Sequence, residues 1–142
     1  ENEPVRLAEC VAIHTEVEFL PMYVDQPLFS EVEIFLRGAG FRFHMFDPLK
    51  SRIIQPLGAE GNPYLGLNQV FWADAVFIRD FTKFSDLSAE KLMALALILH
   101  DVYRSFDLVV RALMAIDQQT GSTLTDTYSA AMTVTSSPNP AA

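Results

Sequence analysis

Hydrophobic and polar residues alternate from Val11 to Phe19. Val11, Ile13, Thr15, Val17 and Phe19 share one parity; Ala12, His14, Glu16 and Glu18 share the other. A period of two is the mark of a strand with one buried face. After a short loop, Leu20 to Gln26, the period changes. Leu28, Val32, Phe35 and Leu36, with Phe29 beside them, form a stripe at helical spacing. This predicts a helix from Pro27 to Ala39. Pro27 suits a first helical position, where a missing N–H costs nothing, and Gly38 and Gly40 supply the stop. Alternation returns from Phe41 to Asp47, bounded by Asp47-Pro48. A strand–helix–strand of this kind calls for parallel neighbours and a larger sheet. The chain also begins with Glu1 rather than Met, so a fragment or processed product is expected.

Further along, residues 48–68 form a long connection with three Pro and three Gly. Long connections in compact domains tend to be functional or disordered. From Gln69 to Ile78 nearly every residue is apolar, which predicts a third strand buried on both faces. Asp74 is the exception. Beyond it the pattern is helical. Ser88 is placed to cap a helix running through Leu92–Leu99 to Tyr103. Ser105 is placed to cap another, with Leu108, Val109, Ala112, Leu113 and Ile116 on its face and Gly121 at its end. A weaker helix is expected from Thr125 to Met132. Residues 1–10 read as a helix end or connector. The domain limits expected are 1–82 for the sheet, 83–132 for a helical extension and 133–142 for a disordered tail.

Composition narrows the functional classes. Half the residues are hydrophobic and 20% are charged, the balance of a folded protein. Ten basic against 18 acidic residues give a net charge of −8, which argues against duplex nucleic acid, whose binding draws on clustered Lys and Arg. The single Cys10 cannot form an internal disulfide, which fits a reducing compartment; a cytoplasmic setting is expected. The longest apolar run, Leu92–Leu99, is about eight residues, against the roughly 20 of a membrane span. It reads as a buried helix or an interface. His14, His44 and His100 are isolated, so no metal site is expected.

The order and spacing of four elements resemble a family. Thr15-Glu16-Val17-Glu18-Phe19-Leu20-Pro21-Met22-Tyr23, Gln26-Pro27-Leu28-Phe29, Gly40-Phe41 and Trp72-Ala73-Asp74-Ala75-Val76-Phe77 are similar to the C-terminal half of FkbM-type S-adenosylmethionine-dependent methyltransferases. The resemblance covers roughly residues 8–82. It implies an α/β fold, the C-terminal part of a Rossmann-like class I methyltransferase sheet of strand order 3-2-1-4-5-7-6. Residues 11–19 would be strand 5, residues 41–47 strand 6 and residues 69–79 the antiparallel strand 7, followed by an α-helical extension. The implied reaction is methylation of a hydroxyl on a sugar, polyketide or similar small acceptor.

Two elements of the family are missing. It holds S-adenosylmethionine through a Gly-rich turn after its first strand and an acidic residue after its second. Gly38-Ala39-Gly40 ends a helix and does not replace that turn. The chain by itself is therefore expected neither to bind the cofactor well nor to turn over. What remains is an acceptor-side rim at the carboxyl ends of the first two strands, holding Glu16, Glu18, Tyr23, Gln26, Arg52, Tyr64, Trp72 and Asp74. Glu16 is the candidate base or orienting group, and His44 a weaker one. Glu18 shares its strand face, about 7 Å away. A buried Asp74 needs a partner, with Arg42, Arg52 or Arg79 available, and a structural salt bridge is expected. Trp72 is expected as a core aromatic, or as a platform for an acceptor ring. Cys10 is expected to pack. The rival expectation is a non-catalytic module that self-associates through the open edge of its first strand, where the family's strand 4 would pair.

Overall fold

The computed structural model describes residues 3–57 and 66–135. The chain forms two compact units, Glu1–Arg79 and Asp80–Ala142. The first contains α1 (Glu3–Glu9), β1 (Ala12–Glu18), α2 (Phe29–Gly38), β2 (Phe41–Ser51) and β3 (Val70–Arg79). The second contains a 3-10 turn (Phe81–Asp86), α3 (Ala89–Asp101), α4 (Phe106–Thr120) and α5 (Leu124–Thr135).

The described strands of the first unit form one open sheet in the order β1-β3-β2. Both outer strands run antiparallel to β3. β1 and β2 are therefore parallel to each other but never touch, so neither has the parallel neighbour expected of it. β3 pairs on both sides, which explains its burial. Ala73, Ala75 and Phe77 of one parity and Val76 and Ile78 of the other are all buried. Val17, Leu36, Phe41, Ala73, Ala75 and Phe77 form the core of this unit, with Leu7, Ile13, Phe19, Phe29, Val32 and Phe46 packed around them. Phe29 of α2 sits 5.3 Å from both Phe43 and Phe46 and 5.5 Å from Phe19, ring centre to ring centre. These offset and edge-on contacts are the arrangement aromatic quadrupoles favour.

Three boundaries differ from expectation, each for a local reason. α2 starts after Leu28, leaving Pro27 outside the helix. The Glu31 carboxylate accepts the Leu28 N–H at 2.8 Å, which makes Leu28 the capping position. β2 runs past Asp47-Pro48 to Ser51. It is an edge strand with register shifts at Phe43/Met45, Phe46/Leu49 and Lys50/Ser51. Pro48 falls in the second of these, where a strand tolerates a residue with no N–H. The glycine stop of α2 rests on Gly40 alone, the residue with φ of +87°.

The second unit begins where the Asp80 carboxylate accepts the Thr82 N–H at 3.1 Å and its hydroxyl at 2.7 Å. Its boundary, Arg79/Asp80, lies ahead of the expected residue 82. Ser88 caps α3 as expected, accepting the Lys91 N–H at 3.3 Å. Ser105 occupies the capping position of α4, but its hydroxyl makes no capping bond. Leu92, Leu95, Ala96 and Leu99 of α3 and Val109, Ala112, Leu113 and Ile116 of α4 are buried. At the end of α3, His100 Nδ1 and the Tyr128 hydroxyl are 2.7 Å apart. Burial pushes the Tyr128 phenol up from its ordinary value. α5 continues through Thr135, into the expected tail. Residues 136–142 lie outside the described residues.

The corner between α4 and α5 is built on Asp117. Its carboxylate accepts the Ser122 hydroxyl at 2.6 Å and the Leu124 and Thr125 N–H groups at 2.9 Å each. Gly121, at φ of +72°, makes the turn. The hydrogen bond from Ser122, then that from the Thr125 backbone, hold the Asp117 carboxyl well below the usual carboxylate range. A carboxylate depressed in the fold stabilises it above the unfolded pKa of about 3.9 and loses that effect as pH falls. Asp117→Asn therefore lowers the melting temperature at pH 7, and the gap from the unaltered chain narrows as both are titrated below about pH 4. Thermal melts at pH 7, 5, 4 and 3 measure this; a gap constant across that range would contradict it.

Candidate functional site

The carboxyl ends of β1 and β2 and the start of β3 meet at one end of the sheet. Glu18 stands opposite Trp72 across the β1–β3 ladder, and Lys50 of β2 opposite the same Trp72. The Arg52 N–H donates to the Gln69 carbonyl at 3.1 Å and closes this end. The Arg52 guanidinium lies 4.3 Å from the Trp72 ring centre, a cation–π geometry. Trp72 is half-buried. It is thus a rim residue covered by Arg52 rather than the core aromatic expected.

One step inward, Glu16 stands opposite Asp74. The Arg79 N–H bonds to the Val11 carbonyl, and the Phe19 N–H to the Phe71 carbonyl. Odd-numbered residues of β1 therefore exchange backbone bonds with β3. Glu16 and Asp74 form a non-bonded pair, the kind in which side chains approach most closely, about 4.5–5.5 Å between Cβ atoms. Like charges so placed oppose folding. Glu16 is exposed and Asp74 half-buried. The salt bridge expected for Asp74 does not form: among the described residues it has no ion-pair partner. Arg52 lies over Trp72, while Arg79 donates to four backbone carbonyls, of Leu7, Ala8, Cys10 and Ala39. Partial exposure lets water solvate Asp74, so the burial that called for a partner is absent.

The remaining candidates divide. Gln26 accepts the Met22 and Tyr23 N–H groups, each at 3.2 Å, through its side-chain oxygen. It folds the loop after β1 and presents Tyr23, which is 72% exposed. His44 sits at the first register shift of β2, beside Phe77 and Val76. Four residues of β3 separate that level from Trp72, about 14 Å of strand rise, so His44 is not part of the rim. Tyr64 lies outside the described residues. Cys10 does not pack: it is exposed, and its thiol donates to the Arg6 carbonyl at 3.3 Å. Among the described residues no three His, Cys, Asp or Glu side chains gather to hold a metal ion. None of the described helices is long and apolar enough to cross a membrane.

Two features carry no signal in the sequence. The Glu16–Asp74 opposition depends on strand register, which joins residues far apart in the chain. An apolar groove of about 340 Å³ also runs beside β1, lined by Leu7, Ile13, Thr15, Val32, Phe35 and Leu36. No protein-family model, curated protein or solved structure matches this chain.

Proposed function

We propose that the first unit is the C-terminal edge of a class I S-adenosylmethionine-dependent methyltransferase sheet of FkbM type, and that its rim receives a hydroxylated small acceptor. The observation that supports this reading is the strand order β1-β3-β2, with β3 antiparallel to both neighbours and α2 in the connection between the outer strands. It coincides with the 5-7-6 end of the sheet that the resemblance implies. An antiparallel strand inserted between two parallel ones is a specific arrangement, and short connections alone would not produce it.

The described residues do not fit the cofactor. The Gly-rich turn and the acidic residue that hold it in the family follow that family's first two strands, whereas β1 stands here as strand 5. The contribution of this chain is therefore confined to the acceptor. Glu16, with Asp74 opposite it, is positioned to take the proton of an acceptor hydroxyl. Trp72, Glu18 and Arg52 form the surface against which the acceptor is oriented. Orientation of the reacting oxygen is the larger share of what such a rim supplies.

The test uses the natural polypeptide that includes this chain, with transfer of labelled methyl from S-adenosylmethionine to a panel of sugar and polyketide hydroxyls. Glu16→Gln lowers turnover about 10²-fold and leaves cofactor affinity unchanged. Equal loss of both, or of neither, removes the role given to Glu16. Transfer to no member of the panel counts against the whole reading.

A further inference from the structure

A cavity of about 170 Å³ lies in the second unit, between the 3-10 turn and one face of α4. Arg111, Met114, Ala115 and Gln118 supply the α4 side. Steps of three, four and seven residues put them on one face of the helix. The turn supplies Phe81, Thr82, Phe84 and Ser85. Three contacts fix the turn in place. Asp80 caps its start and Phe84 is buried. The Gln119 side-chain amide donates to the Leu87 carbonyl, just past its end, at 2.8 Å. The walls therefore stand before any ligand arrives.

Among the described residues that line this cavity, Arg111 alone is charged. Asp107 stands one turn earlier on α4, the spacing and order that favour an ion pair, yet the two do not pair. Among the described residues the side chains of Arg111 and Gln118 have no hydrogen-bond or ion-pair partner. A chain with 18 acidic and 10 basic residues thus leaves a guanidinium unpaired beside a cavity. The two hydroxyls have the opposite polarity. Thr82 donates its proton to the Asp80 carboxylate at 2.7 Å, and Ser85 to Asp86 at 3.2 Å, so each presents lone pairs. Phe81 and Met114 are 42% and 41% exposed and offer apolar surface to an occupant.

We propose that this cavity binds a small aromatic carboxylate bearing a hydroxyl at its far end. The inference goes beyond the methyltransferase reading and does not rest on it. Charge selects the carboxylate, which a guanidinium meets with two parallel hydrogen bonds. A phosphate dianion is disfavoured, because the lone pairs of Thr82 and Ser85, backed by Asp80 and Asp86, oppose its further oxygens. Size and lining select the ring. A cavity of about 150 Å³ accommodates benzene, and Phe81, Phe84 and Met114 supply the rings and the sulfur that aromatic ligands favour. Spacing selects the hydroxyl. Gln118 lies two turns from Arg111, about 10.5 Å along the helix axis, with Met114 and Ala115 between them. Along α4 the lining reads charged, apolar, polar. A ring whose carboxylate meets Arg111 directs its opposite substituent toward the Gln118 amide.

Amide correlation spectra of the nitrogen-labelled 142-residue chain, titrated with para-hydroxybenzoate at constant ionic strength, test this. The amides of Phe81–Asp86 and of residues 111–118 shift and saturate, with a dissociation constant of about 1 mM, in keeping with so small a ligand. para-Hydroxybenzamide has the same shape without the charge and binds at least about tenfold more weakly. Arg111→Gln weakens para-hydroxybenzoate by the same factor. Benzoate, which lacks the hydroxyl, binds about fivefold more weakly, and Gln118→Leu abolishes that preference. Both side chains are exposed, so both variants keep the fold, which circular dichroism checks. The absence of a saturable shift up to about 20 mM overturns the proposal. So does binding that Arg111→Gln leaves unchanged, or acetate or phosphate binding as tightly as para-hydroxybenzoate. A preference for the hydroxyl that survives in Gln118→Leu overturns it as well. None of these measurements reads methyl transfer, so the two readings fail separately.

Discussion

Phe77→Ala lowers the stability of the sheet unit by about 3–5 kcal/mol. Phe77 is fully buried in the central strand and is held on both sides, opposite Ile13 of β1 and Phe43 of β2. Its ring lies 5.7 Å from Phe43 and 6.4 Å from Phe29. With both flanking ladders pinned to β3, the neighbouring rings cannot move in to fill the hole, and a cavity that does not collapse is the costly kind. Small domains are stable by about 5–15 kcal/mol, so one substitution removes a large share. Phe35→Ala is the control: Phe35 is mostly exposed and its loss stays within about 0.5 kcal/mol. Hydrogen exchange of the β3 amides across a urea series measures both. Equal effects at the two positions would contradict the core described above.

Arg79→Ala is expected to cost about 3 kcal/mol, through a different mechanism. The Arg79 guanidinium donates to the carbonyls of Leu7 at 2.6 Å, Ala8 at 2.8 Å, Cys10 at 2.8 Å and Ala39 at 3.1 Å. It also lies 4.2 Å from the Phe41 ring centre. The first three carbonyls belong to the end of α1 and the residue after it, and the fourth to the end of α2, where helical carbonyls lack the intrahelical partners of the helix interior. A cation there also complements the negative ends of both helices. Burial pulls its pKa below the ordinary arginine value, yet a guanidinium remains charged at neutral pH. Arg79→Lys should not restore stability, because one ammonium cannot reach four carbonyls spread around a planar fork. Urea titration of the three proteins decides this; full rescue by Lys would mean that charge alone is needed there.

The elements with strong periodicity were legible in the sequence. Alternation marked β1, unbroken apolarity marked β3 as buried on both faces, and helical stripes marked α3 and α4. The coarse fold, an open sheet with helices, follows from these. Boundaries were less legible where one side-chain bond decides them: Glu31 moves the start of α2 past Pro27, and a register shift carries β2 through Pro48. The 3-10 turn from Phe81 to Asp86 has too few residues to show a period. The candidate site was readable as a set of residues on one rim, because parity and strand direction place Glu16, Glu18, Arg52 and Trp72 there. It was not readable as an arrangement. That Glu16 faces Asp74, that Arg52 covers Trp72 and that Arg79 is spent on backbone carbonyls all depend on register and tertiary approach, which no local pattern encodes.

Trp72 is the one tryptophan of the chain, and it stands on the rim under a guanidinium 4.3 Å from its ring. The ultraviolet emission of the whole protein, excited at the indole edge, is therefore a signal from that rim alone. An acceptor that displaces Arg52 would change both the polarity and the charge seen by the excited indole, shifting its colour and its lifetime. The molecule carries its own unlabelled optical gauge at the place where a ligand is expected to land.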